Sequence, residues 1–217
     1  MRHPYHRPRP VKACARLITY SAACERNKGP ILEQLSIYLA GARSVLEIGG
    51  GTGQHAVHFA AHLPHLQWQS TERASYLAAL AARIGAEGSA NLPAPVALDV
   101  DDPAWPAGPF DAVYTANTLH IMGWPQVERC YAGVAAALPV QGLFLCYGPY
   151  RRHGRTTDSN EQFDAELRRR DPASGLRELD ELSALGGRVG LRLVADIALP
   201  ANNELLVWRR VAASAPR

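Results

Sequence analysis

One stretch constrains the fold of this chain more than any other: Val45-Leu46-Glu47-Ile48-Gly49-Gly50-Gly51-Thr52-Gly53. A short apolar run carries an acid near its end and then glycines at alternate positions, Gly49, Gly51 and Gly53. Gln54 to Ala60 reads as the start of a helix. Glycine accepts φ > 0 and presents no Cβ to a ligand nearing the backbone, so a strand, glycine turn and helix together suit a nucleotide-type cofactor. Dinucleotide folds space these glycines G-x-G-x-x-G to seat a pyrophosphate on the helix N-terminus. The spacing here is E-x-G-x-G-x-G, which argues against a nicotinamide-dependent oxidoreductase. The bland alternative is a tight turn that binds nothing.

The segments around the turn extend the pattern. Residues 66–71 alternate like a second strand and end at Glu72. An acid there, about 20 residues past the glycines, is placed for ribose hydroxyls. It also suits the first turn of the helix expected over 73–84. Residues 95–100 form a short apolar run around Asp99, with Asp101 and Asp102 close behind. Strands are expected over 110–116 and 140–147 and a helix over 124–138; a polar insert, Gly148 to Asp158, then leads to helices at Glu161–Arg170 and Glu178–Leu185. Ser21 to Leu39 reads as a leading helical region with Pro30 in a first turn. The chain closes with strands Leu191–Leu199 and Asn203–Arg210 around Pro200-Ala201-Asn202. Strand–helix alternation implies a mostly parallel sheet covered on both faces.

At 217 residues the chain has room for one α/β domain with a full core. We expect a basic, proline-rich arm over 1–15 and a single domain over 16–212. No apolar run approaches the roughly 20 residues of a membrane span. The arm lacks the apolar centre of a signal peptide, so a cytoplasmic protein is expected. A net charge of +3 without interleaved exposed aromatics does not favour nucleic acid. Cys14, Cys24, Cys130 and Cys146 have no metal-ligand spacing. His55, His58 and His62 share one helix face, and we read them as a solvated face rather than ligands.

Taken with the acids at the strand tips, the E-x-G-x-G-x-G turn resembles the first motif of class I S-adenosylmethionine (SAM) methyltransferases. Several segments resemble one family more narrowly, methyltransferase-like protein 26 and its bacterial relatives. They are Ser21-Ala22-Ala23-Cys24-Glu25-Arg26-Asn27, Leu46 to His55, Asn117-Thr118-Leu119-His120-Ile121, Tyr147-Gly148-Pro149-Tyr150, Ser159-Asn160 with Phe163-Asp164, and Pro200-Ala201-Asn202-Asn203. One departure is Ser70-Thr71-Glu72, where relatives carry Ser-Asp. The resemblance implies an α/β, Rossmann-like class I fold: a seven-stranded, mostly parallel sheet with a C-terminal antiparallel hairpin and helices on both faces. It implies SAM as cofactor, held by Glu47, Gly49, Gly51, Gly53, Glu72, Asp99, the Val100 amide, Asn117 and Asn27. It also implies that Glu25, Arg26 and Asn27 either ion-pair locally or close a lid over the amino-acid tail of SAM.

Methyl transfer needs an aligned nucleophile and, for many acceptors, a base. His120 follows the fourth strand, at the carboxyl edge where open α/β sheets bind ligands, and an ordinary imidazole pKa of about 6.5 suits proton removal. The alternative is packing against Trp124 with a hydrogen bond to a loop carbonyl. Tyr150 is the second catalytic candidate; with Tyr147 it either orients an acceptor or forms an aromatic wall. Arg151, Arg152 and Arg155 either meet an anionic substrate or form a solvated loop. The function expected is methyl transfer to an oxygen, nitrogen or sulfur of a small molecule, by a monomer or homodimer. A non-catalytic SAM-binding or interaction module is the competing reading.

Overall fold

A computed structural model of the protein describes residues 20–212, so the arm expected over 1–15 and Cys14 lie outside the described residues. Seven strands form the main sheet: β1 (Ser44–Ile48), β2 (Gln67–Glu72), β3 (Val96–Ala97), β4 (Ala112–Ala116), β5 (Leu143–Gly148), β8 (Leu191–Leu199) and β9 (Asn203–Arg210). Their spatial order is β3-β2-β1-β4-β5-β9-β8. The first five run parallel, and β9 joins β5 antiparallel with β8 at the edge. Strand order reverses between β1 and β4, the point where open α/β sheets bind ligands.

Side chains alternate across the sheet as a period of two demands. Val45, Tyr114, Leu145 and Val207 pack on one face with α1 (Ala22–Tyr38), α2 (Gln54–His62) and α3 (Leu77–Glu87). Leu46, Val113, Phe144 and Trp208 pack on the other with α4 (Trp124–Ala137) and α6 (Leu179–Val189). Both faces are therefore covered, which is why β1, β4 and β5 read as near-continuous apolar runs. The hairpin turns through positive φ at Ala201 and Asn202, conformations asparagine tolerates well.

Four local expectations differ from the structure. β3 stops at Ala97 because Asp99 Oδ1 accepts the Asp101 amide at 3.0 Å, curling the chain away from β2. The helix expected from 73 begins at Leu77, after a turn closed by Tyr76 N to Arg73 O. Pro30 lies inside α1, which starts two turns earlier at Ala22 under a Ser21 cap. The insert after β5 contains β6 (Tyr150–Arg151), paired in parallel with β7 (Arg177–Glu178) ahead of α6. Two-residue strands leave no periodic signal.

Candidate active site

A cleft of about 930 Å³ opens at the carboxyl ends of the parallel strands, at the upper end of the usual range for ligand pockets. One half is built by the glycine turn and the tips of β2 and β3. Gly49, Gly51 and Gly53 all have positive φ. A Cβ on Gly49 would lie 3.1 Å from Thr118 Oγ1, whereas one on Gly51 would meet nothing closer than 4.0 Å. The turn therefore presses on β4's exit at one glycine and leaves open space above the other. Gly50, which the sequence reading passed over, abuts β2 so closely that a Cβ would sit 2.4 Å from Ser70 Oγ.

Glu47 is buried beneath the turn and accepts hydrogen bonds from Ser70 Oγ (2.6 Å) and Trp68 Nε1 (3.1 Å) on Oε2. Burial holds its carboxyl above the usual range, and those two bonds partly counter the rise. Its other oxygen, Oε1, has no hydrogen-bond partner among the described residues. Thr71 Oγ1 donates to the Glu47 carbonyl at 2.7 Å. The Ser70-Thr71 pair thus supports the glycine turn, and Glu72 stands at the strand tip, accepting Gly51 N at 2.9 Å and Arg73 N at 2.8 Å. Asp99 lines the cleft and pairs with Arg73 at 3.2 Å; Val100 lines it too.

Of the sequence-predicted cofactor residues, the cleft wall includes Glu47, Gly49, Gly51, Glu72, Asp99, Val100, Asn117 and Asn27. Gly53 is the exception. It caps α2, and a Cβ there would reach Leu80 at 3.0 Å and Arg83 at 3.1 Å on α3, so Gly53 serves helix packing.

α1 closes one flank. Gln54 ties it to the glycine turn: Gln54 Oε1 accepts Ser21 N at 2.5 Å, and Gln54 Nε2 donates to Ser21 O and Glu25 Oε2. Asn27 Oδ1 bonds His55 Nε2 at 2.7 Å, and Asn27 lies beside the Tyr147 hydroxyl. Ser21, Ala23, Cys24, Arg26 and Asn27 line the cleft. The 21–30 segment is therefore the anchored first part of the leading helix. His55 corrects the expectation of a solvated histidine face: it is buried under α1, and burial pushes its pKa down to about 4, with His58 adding to the shift. Among the described residues no cluster of three or more His, Cys, Asp or Glu is set to hold a metal.

The other half is formed by the hairpin turn, α5 (Asp158–Arg170) and a 3-10 turn over Leu119–Ile121 after β4. Asn160 Nδ2 donates to Asn202 O at 3.0 Å and Asn202 Nδ2 to Ser159 Oγ at 3.0 Å, latching α5 to the hairpin. His120 is 5% exposed and lines this half. Its ring meets Phe163 edge-on at 5.2 Å rather than Trp124, and neither ring nitrogen has a hydrogen-bond partner among the described residues. Burial, with Arg177 nearby, pushes its pKa down to about 4 instead of the ordinary 6.5. The imidazole is thus neutral near pH 7, with ring nitrogens free of protein partners, and the same burial makes it a weaker base than an ordinary histidine.

The turn that carries His120 is held rigidly. Arg177 Nε donates to Leu119 O at 3.0 Å, Gly175 N to His120 O at 2.8 Å and Ser174 Oγ to Ile121 O at 3.3 Å, while Arg177 also bonds Met122 O. Four successive carbonyls are satisfied by one segment, 174–177, that the sequence reading left without a role.

Tyr150, the other catalytic candidate, is corrected. Its ring is buried off the cleft wall and its hydroxyl donates to Cys146 O at 3.1 Å, so its proton is committed away from the cleft. Burial raises its pKa well above the ordinary value. Arg151 pairs with Glu161 and Asp164, and Arg152 with Asp196 and Glu204. These arginines brace the insert and hairpin, and neither lines the cleft.

The sheet order, the glycine turn and the cleft at the strand ends define a class I methyltransferase fold. The chain matches, over residues 18–210, a family described as a protein of unknown function, DUF938, and belongs to that family. Solved structures of the same fold include the mitomycin 7-O-methyltransferase MmcR, at TM-score 0.76 and 20% identity over 88% of this chain and 55% of that one. An O-methyltransferase family protein from Burkholderia thailandensis matches at TM-score 0.75 and 18% identity, over 88% and 58%. Human N-acetylserotonin methyltransferase in complex with SAM matches at 0.73 and 14%, over 88% and 53%. The chain spans about half the length of these proteins, and at such identities the likeness is one of fold. Among the described residues, no helix is long and apolar enough to cross a membrane.

Proposed function

We propose that this protein is a SAM-dependent methyltransferase, of the methyltransferase-like protein 26 type, that acts on an oxygen, nitrogen or sulfur of a small molecule. The reading assigns the activity to one domain over 16–212 of a cytoplasmic monomer or homodimer. The observation that carries it is the pairing of the two cleft halves. One has an open glycine turn with acids at successive strand tips; the other has a buried, neutral His120 whose ring nitrogens are unbonded.

The residues present fit SAM. Open space above Gly51 admits a ligand against the backbone, Glu72 offers carboxylate oxygens at the ribose position, and Asp99 with Val100 would bracket the adenine. When bound, SAM supplies a methyl group that its sulfonium already makes electrophilic. The protein's share is placement and proton management. Phe163 and the Asn160–Asn202 latch wall off the acceptor side, and His120 takes the proton of the acceptor's O–H, N–H or S–H. The clamp from residues 174–177 keeps the imidazole from turning away. Solved neighbours named for acting on mitomycin or N-acetylserotonin support a small-molecule acceptor.

Calorimetry on the full chain should detect binding of S-adenosylhomocysteine, and a panel of phenols, amines and thiols should reveal an acceptor that consumes SAM. His120→Ala should then lower turnover by about 10²–10⁴-fold while cofactor affinity holds. Full turnover in that variant would remove His120 from the chemistry. Bound SAM that no acceptor consumes would favour a non-catalytic module.

A further inference from the structure

Charge is distributed unevenly around the cleft. The charged side chains on its wall, Arg26, Glu47, Glu72, Arg73 and Asp99, belong to α1, β1, β2 or the turns that follow β2 and β3. The half around His120 carries no Asp, Glu, Lys or Arg among the described residues; Ile121, Met122, Phe163, Pro149 and Pro200 line it, with neutral polar side chains between them. Arg151, Arg152 and Arg177 are spent on carboxylates and backbone carbonyls.

Two of the apolar side chains are open to solvent. Ile121 is 56% exposed and follows His120 in the chain; Phe163 is 38% exposed and meets the His120 ring edge-on at 5.2 Å. Apolar surface left open beside a buried, unbonded imidazole marks a seat for an apolar ligand, because covering it removes that surface from water. The polar side chains of this half have little left to give. Thr118 Oγ1 donates to Ala116 O, Gln126 Nε2 to Asp101, Asn160 Nδ2 to Asn202 O, Asn202 Nδ2 to Ser159 Oγ and Asn203 Nδ2 to Ala201 O. Asn117 and Tyr147 keep their donors, at the ends of β4 and β5 beside the other half. A negative charge developing on oxygen calls for donors aimed at it, whereas sulfur is a weak acceptor that asks for few.

The strength of the base points the same way. An imidazole whose pKa is pushed down to about 4 takes a proton most readily from an acidic X–H. A thiol ordinarily titrates at about 8.5 and a phenol at about 10. An ammonium or a carboxylate would bring a charge for which this half has no counter-ion. Sulfur is also the stronger nucleophile once its proton leaves, and it packs well against an aromatic ring.

We infer that the methyl acceptor is an uncharged, lipophilic thiol seated on Ile121 and Phe163, with its S–H toward His120. The inference rests on the proposed cofactor and narrows the acceptor from three elements to one. In the step, the S–H proton passes to an imidazole nitrogen and an electron pair of the thiol sulfur forms the new S–C bond. The old C–S bond of the methyl breaks and its pair returns to the sulfonium. The products are a methyl thioether and S-adenosylhomocysteine, and the positive charge ends on the imidazolium, which releases its proton to water at neutral pH.

The test uses phenylmethanethiol, p-cresol, benzylamine and thioglycolate with SAM and the full chain, with product formation counted above the rate without protein. Phenylmethanethiol should be methylated with a kcat/KM about 10-fold or more above that of p-cresol, and benzylamine and thioglycolate should react less still. Calorimetry of phenylmethanethiol on the complex with S-adenosylhomocysteine supplies a second readout. Phe163→Ser and Ile121→Ser, both at open positions, should each weaken that binding about 3–10-fold and leave S-adenosylhomocysteine affinity unchanged. Preference for p-cresol would make the acceptor an oxygen, preference for benzylamine or thioglycolate would make it charged, and unchanged thiol binding in both variants would move the seat elsewhere; each overturns the inference. So does a protein that binds S-adenosylhomocysteine and methylates neither thiol, an outcome that leaves the cofactor reading intact. Failure to bind S-adenosylhomocysteine would instead refute the cofactor reading, and this inference with it.

Discussion

Replacing His120 with glutamine should make the protein less sensitive to acid. The reason lies in where the two buried imidazoles hold their protons. His120 and His55 both have pKa values pushed down to about 4, chiefly by burial, against an ordinary 6.5. The unfolded chain therefore takes up a proton at each site below about pH 6.5, while the folded protein resists until about pH 4. In that window the unfolded state binds more protons, so stability rises with pH. The contribution is full above pH 6.5 and is lost progressively as pH falls toward 4. A pKa moved from 6.5 to about 4 corresponds to about 3 kcal/mol per imidazole in all, of which about 2 kcal/mol is lost between pH 7 and pH 5.

The assay is urea unfolding followed by the fluorescence of the fully buried Trp68 and Trp208. From pH 7 to pH 5, His120→Gln should lose about 2 kcal/mol less than the unaltered protein, and His55→Gln should do the same. Glu47 shifts the other way, its raised pKa favouring the fold as pH falls, but it is common to both proteins and cancels in the difference. Parallel stability curves for His120→Gln and the unaltered protein would refute a depressed imidazole. The same shift implies that turnover persists to lower pH than an ordinary imidazole allows.

Two further substitutions probe the frame of the site. Gly50→Ala places a Cβ 2.4 Å from Ser70 Oγ and 3.0 Å from Leu80, so it should break the Ser70–Glu47 bond and destabilise the fold by about 1–3 kcal/mol, read as a lower melting temperature together with weaker S-adenosylhomocysteine binding. Arg177→Leu strips donors from the carbonyls of Leu119, Met122 and Ala173 and should cost about 2–4 kcal/mol in urea unfolding, with cofactor affinity retained because Arg177 touches only the acceptor side.

What the sequence made legible follows from period and punctuation. The apolar runs of β1, β4 and β5, the glycine turn and the closing hairpin each carry a local signal, and a mostly parallel sheet follows from strand–helix alternation. His120 lies shortly past a parallel strand, a position the sequence marks as the ligand edge of the sheet, and it lines the cleft. The misses are tertiary. His55 sits on a helix face that reads as polar, and only α1 lying across it makes it buried. Gly53 has the spacing of a ligand glycine but faces Leu80 and Arg83. Tyr150 lies just past β5, whose end carries Tyr147, yet its hydroxyl turns back to Cys146. Neither Asn160's bond to Asn202 nor Arg177's to the Leu119 carbonyl, across 42 and 58 residues, leaves a trace in local periodicity.

The insert between β5 and α6 completes the second half of the cleft. α5 supplies Phe163 and Asn160 to the wall, and the segment after it supplies the clamp on the His120 turn. Asp164 joins the two functions. Burial alone would raise its pKa, but bonds from Arg168, the Leu176 amide and Arg151 outweigh that and hold it below the usual carboxylate range. Its Oδ1 accepts Leu176 N at 2.6 Å, directly between the donors Gly175 and Arg177 that hold the carbonyls of the histidine turn. A change that loosens α5 at Asp164 therefore reaches His120 through two residues of backbone. One insert thus braces both the cleft wall, through Asn160 and Phe163 on α5, and the turn that carries His120, through residues 174–177.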